Sequence, residues 1–213
     1  MNFIDEQLED YVEKHTTEES EVLYDLNRQT HINVLQPRML SGHLQGRVLS
    51  MLSHMIKPKR ILEIGTYTGY AAICMAEGLQ EKGELITIDK NHELEDMANS
   101  YFEKAEFKDR IKMIVGDALE EVPKLDKNFD LVFIDADKTN YLNYYNLLID
   151  ELPKNSYIIA DNVLWSGKVL NEEEMNDPDT KALNEFNQII QGDSRVENVL
   201  FPIRDGLMVI RKL

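Results

Sequence analysis

The sequence of 213 residues is short of cysteine and of long apolar runs, and each shortage excludes a class of protein. Its single cysteine, Cys74, cannot form an internal disulfide, which fits the reducing cytoplasm. The apolar runs are no longer than a strand, so we expect no membrane-spanning helix. The amino terminus lacks a basic segment followed by an apolar one, so we expect no signal peptide. These features predict a cytoplasmic protein without membrane association.

Positive charge is also scarce, since 23 lysines and arginines stand against 39 aspartates and glutamates and give a formal net charge of −16. Broad electrostatic binding of nucleic acid needs the opposite balance, so the composition argues against it. A local basic patch stays open. Basic residues recur at Arg28, Arg38 and Arg47, and again at Lys57, Lys59 and Arg60. A solvated helix surface is the simpler interpretation of these residues.

From Arg60 to the end of the chain, short apolar segments alternate with segments of helical spacing. The predicted strands are Ile61–Ile64, Leu85–Ile88, Ile111–Val115, Leu131–Ile134, Tyr157–Ala160, Val196–Phe201 and Leu207–Arg211. Such alternation predicts βαβ units and a mostly parallel, Rossmann-like sheet covered by helices on both faces. Only Pro202 to Gly206 separates the last two strands, so they should form a hairpin with one antiparallel strand.

Residues 2–56 show helical spacing, with Thr16 to Glu19 as a plausible helix start, and predict extra helices before the α/β core. We find no linker, so we expect one domain over 1–213, with a helical extension at 1–56 and a core at 57–213. The segment from Asn33 to Ser41 contains Pro37 and breaks the spacing. It is either a plain connector or a cover over a ligand site.

The first predicted strand leads into a glycine-bearing turn, Glu63-Ile-Gly65-Thr-Tyr-Thr-Gly69, which is followed by a helix. This arrangement lets backbone approach a ligand closely. The spacing differs from the Gly-x-Gly-x-x-Gly turn that binds a pyrophosphate. Glu63 would repel a phosphate but attract an amino group. The turn therefore favours a ligand with a cationic amino-acid moiety over a dinucleotide.

The next two predicted strands also end in acidic residues. Asp89 follows the second strand, where a carboxylate can accept hydrogen bonds from ribose hydroxyls. Gly116-Asp117-Ala118 follows the third, where Asp117 could bind an adenine amino group. A ligand with an adenosine moiety, a positive centre and an amino-acid tail fits all three strand ends. S-adenosylmethionine is such a ligand.

The fourth and fifth predicted strands end in Asp135-Ala-Asp137-Lys138 and Asp161-Asn162. Asp135, Asp161 and Asn162 offer oxygen ligands without a neighbouring Cys or His, a set that favours a hard ion such as Mg²⁺. Asp135 and Asp137 lie two apart on an extended segment, so one can face the metal and the other the cofactor. Lys138 stands where a cation can hold or remove a hydroxyl proton, and its pKa would have to be lowered for it to act as a base.

Trp165 follows this pair of ligands in a polar loop, where a stacking wall for the substrate is a better interpretation than core packing.

The sequence resembles the cation-dependent class I O-methyltransferases, which include caffeoyl-CoA and catechol O-methyltransferases. The resemblance covers the chain from about residue 35 to its end. Its motifs are Leu-Glu-Ile-Gly-Thr-Tyr-Thr-Gly-Tyr (62–70), Asp-Ala-Asp-Lys-Thr-Asn-Tyr-Leu-Asn-Tyr (135–144), Asp-Asn-Val-Leu-Trp-Ser-Gly (161–167) and Pro-Ile-Arg-Asp-Gly (202–206). Plant relatives usually carry Ser where this chain has Ala71, and their long loop for a coenzyme A thioester has no clear counterpart here.

The resemblance implies Mg²⁺ held by Asp135, Asp161 and Asn162, with Lys138 beside the substrate hydroxyl, and a homodimer, for which the N-terminal helices are the expected interface. Met39 and Ser41 would cover the cofactor. The full set of predicted cofactor contacts is Met39, Ser41, Glu63, Gly65, Thr66, Tyr67, Gly69, Asp89, Gly116, Asp117, Ala118, Asp135, Asp137 and Tyr144. Catalysis is assigned to Lys138, Asp135 and Asn162. Substrate contacts are assigned to Lys138, Asn162 and Trp165.

We therefore expect a Mg²⁺-dependent S-adenosylmethionine O-methyltransferase that methylates one hydroxyl of a catechol, with Lys138 assisting deprotonation. The alternative acceptor is 5-hydroxyuridine at the wobble position of tRNA, as in some bacterial relatives. Two further hypotheses are a nicotinamide-dependent dehydrogenase, which the turn from Glu63 to Gly69 disfavours, and a non-catalytic S-adenosylmethionine-binding protein.

Overall fold

The computed structural model of the chain describes residues 5–213. Its strands are β1 Arg60–Ile64, β2 Glu84–Asp89, β3 Ile111–Val115, β4 Leu131–Ile134, β5 Tyr157–Asp161, β6 Val196–Phe201 and β7 Leu207–Lys212. Its α-helices are α1 Glu6–Lys14, α2 Glu21–Asn33, α3 Gly42–Ile56, α4 Tyr70–Ala76, α5 Glu95–Lys104, α6 Ala118–Glu121, α7 Tyr141–Leu148 and α8 Pro178–Gly192. The strand bounds differ from the predicted ones by at most one residue at an end.

The strands form one seven-stranded sheet in the order β3-β2-β1-β4-β5-β7-β6. β1 to β5 pair in parallel, whereas β7 runs antiparallel to both β5 and β6. This confirms the predicted Rossmann-like sheet with one antiparallel strand. The strand order reverses between β1 and β4, and ligands of such sheets bind outside the carboxyl ends of the strands at this point.

Alternate residues of each central strand pack against helices on opposite faces of the sheet. In β4, Val132 and Ile134 belong to one buried apolar cluster, and Leu131 and Phe133 belong to the other. All four are fully buried, which explains why β4 has a continuous apolar sequence. Truncating Phe133 to Ala would cost about 3–5 kcal/mol of stability. The site at the strand ends therefore stands on a rigid core.

The N-terminal helices pack against the core to different extents. α2 begins at Glu21 rather than near Thr16, because Ser20 caps it by accepting a hydrogen bond from the backbone N–H of Leu23. α1 has no buried residue. The predicted extension starts at residues 1–4, which lie outside the described residues. No helix of residues 5–213 is long and apolar enough to cross a membrane.

Candidate active site

A cleft of about 1510 Å³ lies at the carboxyl ends of β1 to β5. Small-molecule sites usually occupy roughly 300–1,000 Å³, so this cleft has room for two ligands side by side. Most predicted site residues line it: Met39, Ser41, Gly65, Tyr67, Asp89, Gly116, Asp117, Ala118, Asp135, Asp137, Lys138, Tyr144, Asp161, Asn162 and Trp165. Glu63, Thr66 and Gly69 are not among the lining residues, although each lies within four residues of Gly65, which is. We call Glu63, Gly65, Asp89 and Asp117 the β1–β3 side, and Asp135, Lys138, Asp161 and Asn162 the β4–β5 side.

Gly65 joins the two sides. Its φ of +102° lies in the left-handed region, and a Cβ on it would overlap the backbone carbonyl oxygen of Asp135. Only glycine permits so close an approach between the turn after β1 and the end of β4. Beyond it, the backbone N–H of Tyr67 donates to the Asp89 carboxylate over 2.8 Å. The glycine turn thus lies directly against the end of β4.

The Glu63 carboxyl group is fully buried on β1 and only partly satisfied. Thr87 donates a 2.5 Å hydrogen bond to Glu63 Oε2 and receives one from the Thr66 hydroxyl. Glu63 Oε1 has no hydrogen-bond partner among the described residues. Burial, reinforced by the charges of Asp135 and Asp89, raises the pKa of Glu63 well above its usual value. A cationic amino group at Oε1 would supply the missing donor and favour the ionised carboxylate.

Asp89 and Asp117 are held by nearby backbone. Asp89 accepts a second hydrogen bond of 2.8 Å, from the Asn91 N–H, and Asp117 accepts one of 2.8 Å from the Leu119 N–H at the start of α6. Each carboxylate keeps lone pairs open to the cleft, because an ionised carboxylate has about four acceptor positions. Both side chains can therefore accept further hydrogen bonds from a ligand.

Asp137 has different hydrogen-bond partners from Asp135. The hydroxyl of Tyr144 donates to it over 2.5 Å, and the Asn140 amide donates as well. Burial raises the pKa of Asp137, but these hydrogen bonds outweigh it and lower the pKa overall. Asp137 is therefore a firmly ionised carboxylate at the edge of the cleft.

Lys138 occupies the centre of the β4–β5 side and is only 8% exposed. Its Nζ donates to Asp135 Oδ1 over 2.9 Å, to Asn162 Oδ1 over 2.7 Å and to the Tyr141 hydroxyl over 2.8 Å. Burial lowers the pKa of Lys138, but Tyr141 and the Asp135 carboxylate outweigh it and raise the pKa. The lowered pKa that a general base would need is therefore not found. Lys138 is an ammonium group in this arrangement.

Asp161 is a buried carboxyl group without a cationic hydrogen-bond partner. It accepts hydrogen bonds from the Asn162 N–H over 2.7 Å and from the Gln45 amide over 2.6 Å. Burial and the neighbouring Asp135 raise the pKa of Asp161 to about 7, although Lys138 opposes them. The charge of Asp135 acts on Asp161, and the one ammonium nearby, Lys138, donates to Asp135 rather than to Asp161, so negative charge is left uncompensated.

This donor set fits a hard divalent cation. It consists of two carboxylates and the amide oxygen of Asn162, whose positive φ of 61° marks it as a turn residue. Within residues 5–213, no three His, Cys, Asp or Glu side chains gather into a metal-binding group, and the third oxygen of this set comes from an amide. A cation here would compensate the charge that raises the pKa of Asp161.

Trp165 both borders the cleft and packs against the core. Its ring lines the cleft with its centroid 5.9 Å from Lys138 Nζ, and part of it packs against the core. Backbone φ is positive at both Trp165 and Ser166, so the loop turns sharply at this wall. The ring can therefore face an aromatic ligand held beside Lys138.

The segment from Asn33 to Ser41 borders the cleft and contains one 3₁₀ turn, Pro37–Met39. Met39 is 55% exposed, whereas Ser41 is buried at the start of α3. The Tyr67 hydroxyl reaches the segment and lies 3.3 Å from the carbonyl oxygens of Leu35 and Gln36. The segment therefore forms part of the lining of the cleft, where a cover would have to lie, and we call it the cover segment.

The O-methyltransferase family model matches residues 13–213, which is nearly the whole chain. The chain belongs to the O-methyltransferase family. This confirms the family, the fold class and the prediction of an enzyme that methylates oxygen.

This chain aligns with several relatives over almost the full length of both chains. A caffeoyl-CoA O-methyltransferase from Stellaria longipes is 30% identical over 220 residues, which cover 98% of this chain and 91% of the relative. A methyltransferase from Podospora anserina, solved with SAH (S-adenosylhomocysteine) bound, has a TM-score of 0.88 at 29% identity and covers 99% and 97% of the two chains. An O-methyltransferase from Bacillus cereus in complex with SAH has a TM-score of 0.89 at 27% identity and covers 97% of each chain.

Within this O-methyltransferase, the structure also brings residues to the site that the sequence did not single out. Gln45 contacts Asp161, and Tyr141 contacts Lys138 and donates to the Asp161 carbonyl over 3.0 Å. Both had a weak signal. Gln45 precedes Leu49 by one helical turn and so lies on the buried face of α3, and Tyr141 lies three residues after Lys138.

Proposed function

We propose that this chain transfers the methyl group of S-adenosylmethionine to one hydroxyl of a catechol-type ortho-diphenol, with the help of a divalent cation such as Mg²⁺. One observation supports this above all others. The oxygen-rich group of Asp135, Asp161 and Asn162 around Lys138 opens into the same cleft as the glycine turn at Gly65. A methyl donor and an acceptor could thus meet at one edge of the sheet.

The β1–β3 side would bind the methyl donor, whose sulfonium carries the methyl group to be transferred. Glu63 Oε1, which has no hydrogen-bond partner among the described residues, would accept a hydrogen bond from the amino group of the methyl donor. Asp89 would accept from the ribose hydroxyls, and Asp117 from the adenine amino group. The solved relatives bound to SAH support a ligand of this class. Residues at three strand ends would fix the donor along its length, so that positioning supplies much of the rate gain.

The β4–β5 side would bind the acceptor. Asp135, Asp161 and Asn162 would hold the cation. When bound, the cation would act as a Lewis acid that favours ionisation of a hydroxyl. Two adjacent hydroxyls form a chelating pair, which favours a catechol over a monophenol. The caffeoyl group named in the relatives carries such a pair, which supports an acceptor of this kind.

Lys138 would assist deprotonation as a positively charged hydrogen-bond donor rather than as a base. Its raised pKa keeps it positively charged, so it would donate a hydrogen bond to the acceptor oxygen and favour its ionised form. Trp165 would stand against the aromatic ring of the acceptor. The hydroxyl proton would go to water in the open cleft. The methyl group would then pass from the donor's sulfur to the ionised oxygen as the sulfur–methyl bond breaks, which leaves S-adenosylhomocysteine.

A panel of acceptors tests this proposal. Purified protein would be supplied with S-adenosylmethionine and Mg²⁺, and then with a catechol, with the matching monophenol, or with tRNA that bears 5-hydroxyuridine. S-adenosylhomocysteine would be measured over time. We expect turnover with the catechol alone. Turnover confined to tRNA, or equal turnover of catechol and monophenol, would contradict the proposal.

Two of the basic residues that the sequence singled out give the tRNA alternative little support. Arg47 forms an ion pair of 3.0 Å with Glu77, and Arg60 forms ion pairs with Glu84 and Asp126. Two members of the predicted basic group are therefore already neutralised by acidic neighbours, which reduces the charge available to a phosphate backbone.

A cytoplasmic homodimer is also part of the proposal. The exposed large apolar residues of the helical extension support an interface there: Leu8, Tyr11, Tyr24, Met51 and Met55. The single, buried Cys74 is consistent with a reducing compartment. Sedimentation of the full chain would show a species of twice the monomer mass of 24.7 kDa, and a monomer at micromolar concentration would contradict the dimer.

A further inference from the structure

Gln45 is buried in α3 and joins two charged groups of distant parts of the chain. Its side chain is nearly inaccessible, at 1% exposure. Its Nε2 donates to Asp161 Oδ2 over 2.6 Å, and its Oε1 accepts from Arg204 Nη1 over 3.2 Å. The amide has a defined orientation, because the reversed group would set oxygen against carboxylate and NH₂ against guanidinium.

Gln45 determines how the Asp161 carboxylate is held. Of the two side-chain oxygens, Oδ1 accepts from the neighbouring Asn162 N–H and Oδ2 accepts from Gln45. Lys138 donates instead to Asp135 and Asn162. Gln45 thus provides the one side-chain hydrogen bond recorded for the Asp161 carboxylate within residues 5–213. An amide supplies an N–H without adding charge, so it orients the carboxylate and leaves it free to attract a cation.

Arg204 extends this contact to the cover segment. It lies in the hairpin between β6 and β7, and its Nη1 also donates to the backbone carbonyl of Leu40 over 3.2 Å. Leu40 stands between Met39 and Ser41, which line the cleft. No carboxylate lies within ion-pair distance of Arg204 in the part of the chain that the structure describes. Its hydrogen bonds therefore go to Gln45 and the cover segment.

We propose that Gln45 is a positioning residue that orients Asp161 for cation binding and, through Arg204, connects this carboxylate to the segment that covers the cleft. This rests on the proposed role of Asp161 as a metal ligand. Residues that orient metal ligands typically affect metal affinity by about 10–100-fold. Removing Gln45 should therefore weaken cation binding without touching the β1–β3 side.

The test is direct titration of Mn²⁺ into full-length protein free of cofactor and acceptor, with free Mn²⁺ followed by electron paramagnetic resonance. Gln45→Leu keeps a buried side chain of similar size and removes both hydrogen bonds. We expect its Kd for Mn²⁺ to rise about 10–100-fold. Its affinity for S-adenosylhomocysteine, measured by calorimetry without metal, should remain that of the wild type.

Ser53→Ala is the matched control. Ser53 is a buried polar residue of the same helix, and it donates to the Met75 carbonyl over 2.6 Å, away from the cleft. This variant should lower the melting temperature but leave the Kd for Mn²⁺ unchanged. A wild-type Kd for Mn²⁺ in folded Gln45→Leu would overturn the positioning role and leave the metal assignment standing. Absence of Mn²⁺ binding by the wild type would instead overturn the metal assignment, and this role with it.

The exposed Arg204 offers a second variant should Gln45→Leu fail to fold. Arg204→Met removes the guanidinium that holds Gln45 Oε1, and we expect a smaller rise in the Kd for Mn²⁺ of about fivefold. An unchanged Kd in this variant would contradict the proposed connection between the cover segment and Asp161.

Discussion

The β1–β3 side and the β4–β5 side share one cleft but hold their polar groups in different ways. Asp89 and Asp117 accept from backbone N–H groups: each accepts from the residue two positions after it, and Asp89 also accepts from Tyr67. On the other side, Asp161 and Lys138 form their hydrogen bonds largely with side chains. One of these is Gln45, which is 116 residues from Asp161. Burial within networks of charged side chains shifts pKa values, and the pKa values of both Asp161 and Lys138 are raised. The β4–β5 side is therefore where a network of buried charged side chains shifts pKa values.

Glu63 is the exception on the β1–β3 side, and it sharpens the comparison. It is as buried as Asp161, and burial raises the pKa of both carboxyl groups. The two differ in what would relieve them, because Glu63 lacks one hydrogen-bond donor, whereas Asp161 has its donors but lacks a compensating charge. We expect an ammonium group to satisfy the first and a divalent cation the second.

Replacing Asp161 by Ala should give the largest effect. It removes one of two carboxylates from the cation site, and a metal ion typically contributes several kcal/mol to the transition state. We expect Mg²⁺-stimulated turnover of a catechol to fall about 1,000-fold, while the affinity for S-adenosylhomocysteine stays unchanged. Steady-state kinetics and calorimetry would measure both. Circular dichroism should show a folded protein, since Asp161 ends its strand. Equal loss of cofactor affinity would contradict the separation of the two sides.

Replacing Lys138 by Ala should rank next. Without the ammonium, the acceptor oxygen loses its hydrogen-bond donor, and we expect kcat to fall about 100-fold. Affinity for S-adenosylhomocysteine should change little, and affinity for Mn²⁺ should not fall, because the ammonium no longer competes for Asp135. As a control, Lys108→Ala, at an exposed lysine that pairs with Glu103 on the surface, should behave as wild type. Equal losses of turnover and cofactor binding would make Lys138 a structural residue.

Replacing Glu63 by Gln is the converse of the Asp161 variant. The neutral amide cannot pair with the amino group of the donor, and a hydrogen bond to a charged group contributes roughly 1.5–3 kcal/mol. We expect the Kd for S-adenosylhomocysteine to rise about 10–100-fold by calorimetry, with the Kd for Mn²⁺ unchanged. A shift in Mn²⁺ affinity of the same size would show that the two sides do not act separately.

The last prediction concerns pH and the stability of the metal-free protein. The pKa of Asp161 is raised from 3.8 to about 7 in the folded state. Between these values the folded state keeps a proton that the unfolded state has lost, so the free energy of unfolding falls as pH rises. The slope from this group is about 1 kcal/mol per pH unit.

Asp161→Asn should remove that contribution. Urea unfolding in excess chelator, at a series of pH values from about 4 to about 8, would measure the difference between variant and wild type. We expect the stability of the variant relative to wild type to grow up to about pH 7 and then level off. A difference that stays constant with pH would show that Asp161 titrates normally.

The fold and the position of the β1–β3 side at one edge of the sheet could be predicted from the sequence, because both depend on patterns between residues close together in the chain. A short apolar run such as Leu131–Ile134 predicts a buried strand, and the acidic residues after each strand must meet at one edge of a parallel sheet. The glycine turn at Gly65 follows from its neighbours in sequence. Ser20 was missed as the cap of α2 because Thr16 offers the same hydroxyl a turn earlier.

The β4–β5 side could be predicted only in its membership. Asp135, Lys138, Asp161 and Asn162 were all named, but the direction of the pKa shift of Lys138 depends on Tyr141 and on the depth of burial, which sequence spacing does not give. Gln45 reaches Asp161 from another helix. Contacts between residues so far apart in the chain are determined by tertiary packing, and no local sequence pattern predicts them.

The central claim is that Asp161 holds a cation that methyl transfer requires. Formation of S-adenosylhomocysteine from a catechol would be measured as Mg²⁺ is titrated back into chelator-treated protein, with wild type and Asp161→Ala side by side. The wild-type rate should rise from near zero and saturate, and the variant should stay flat throughout. Undiminished wild-type turnover in excess chelator would contradict the claim.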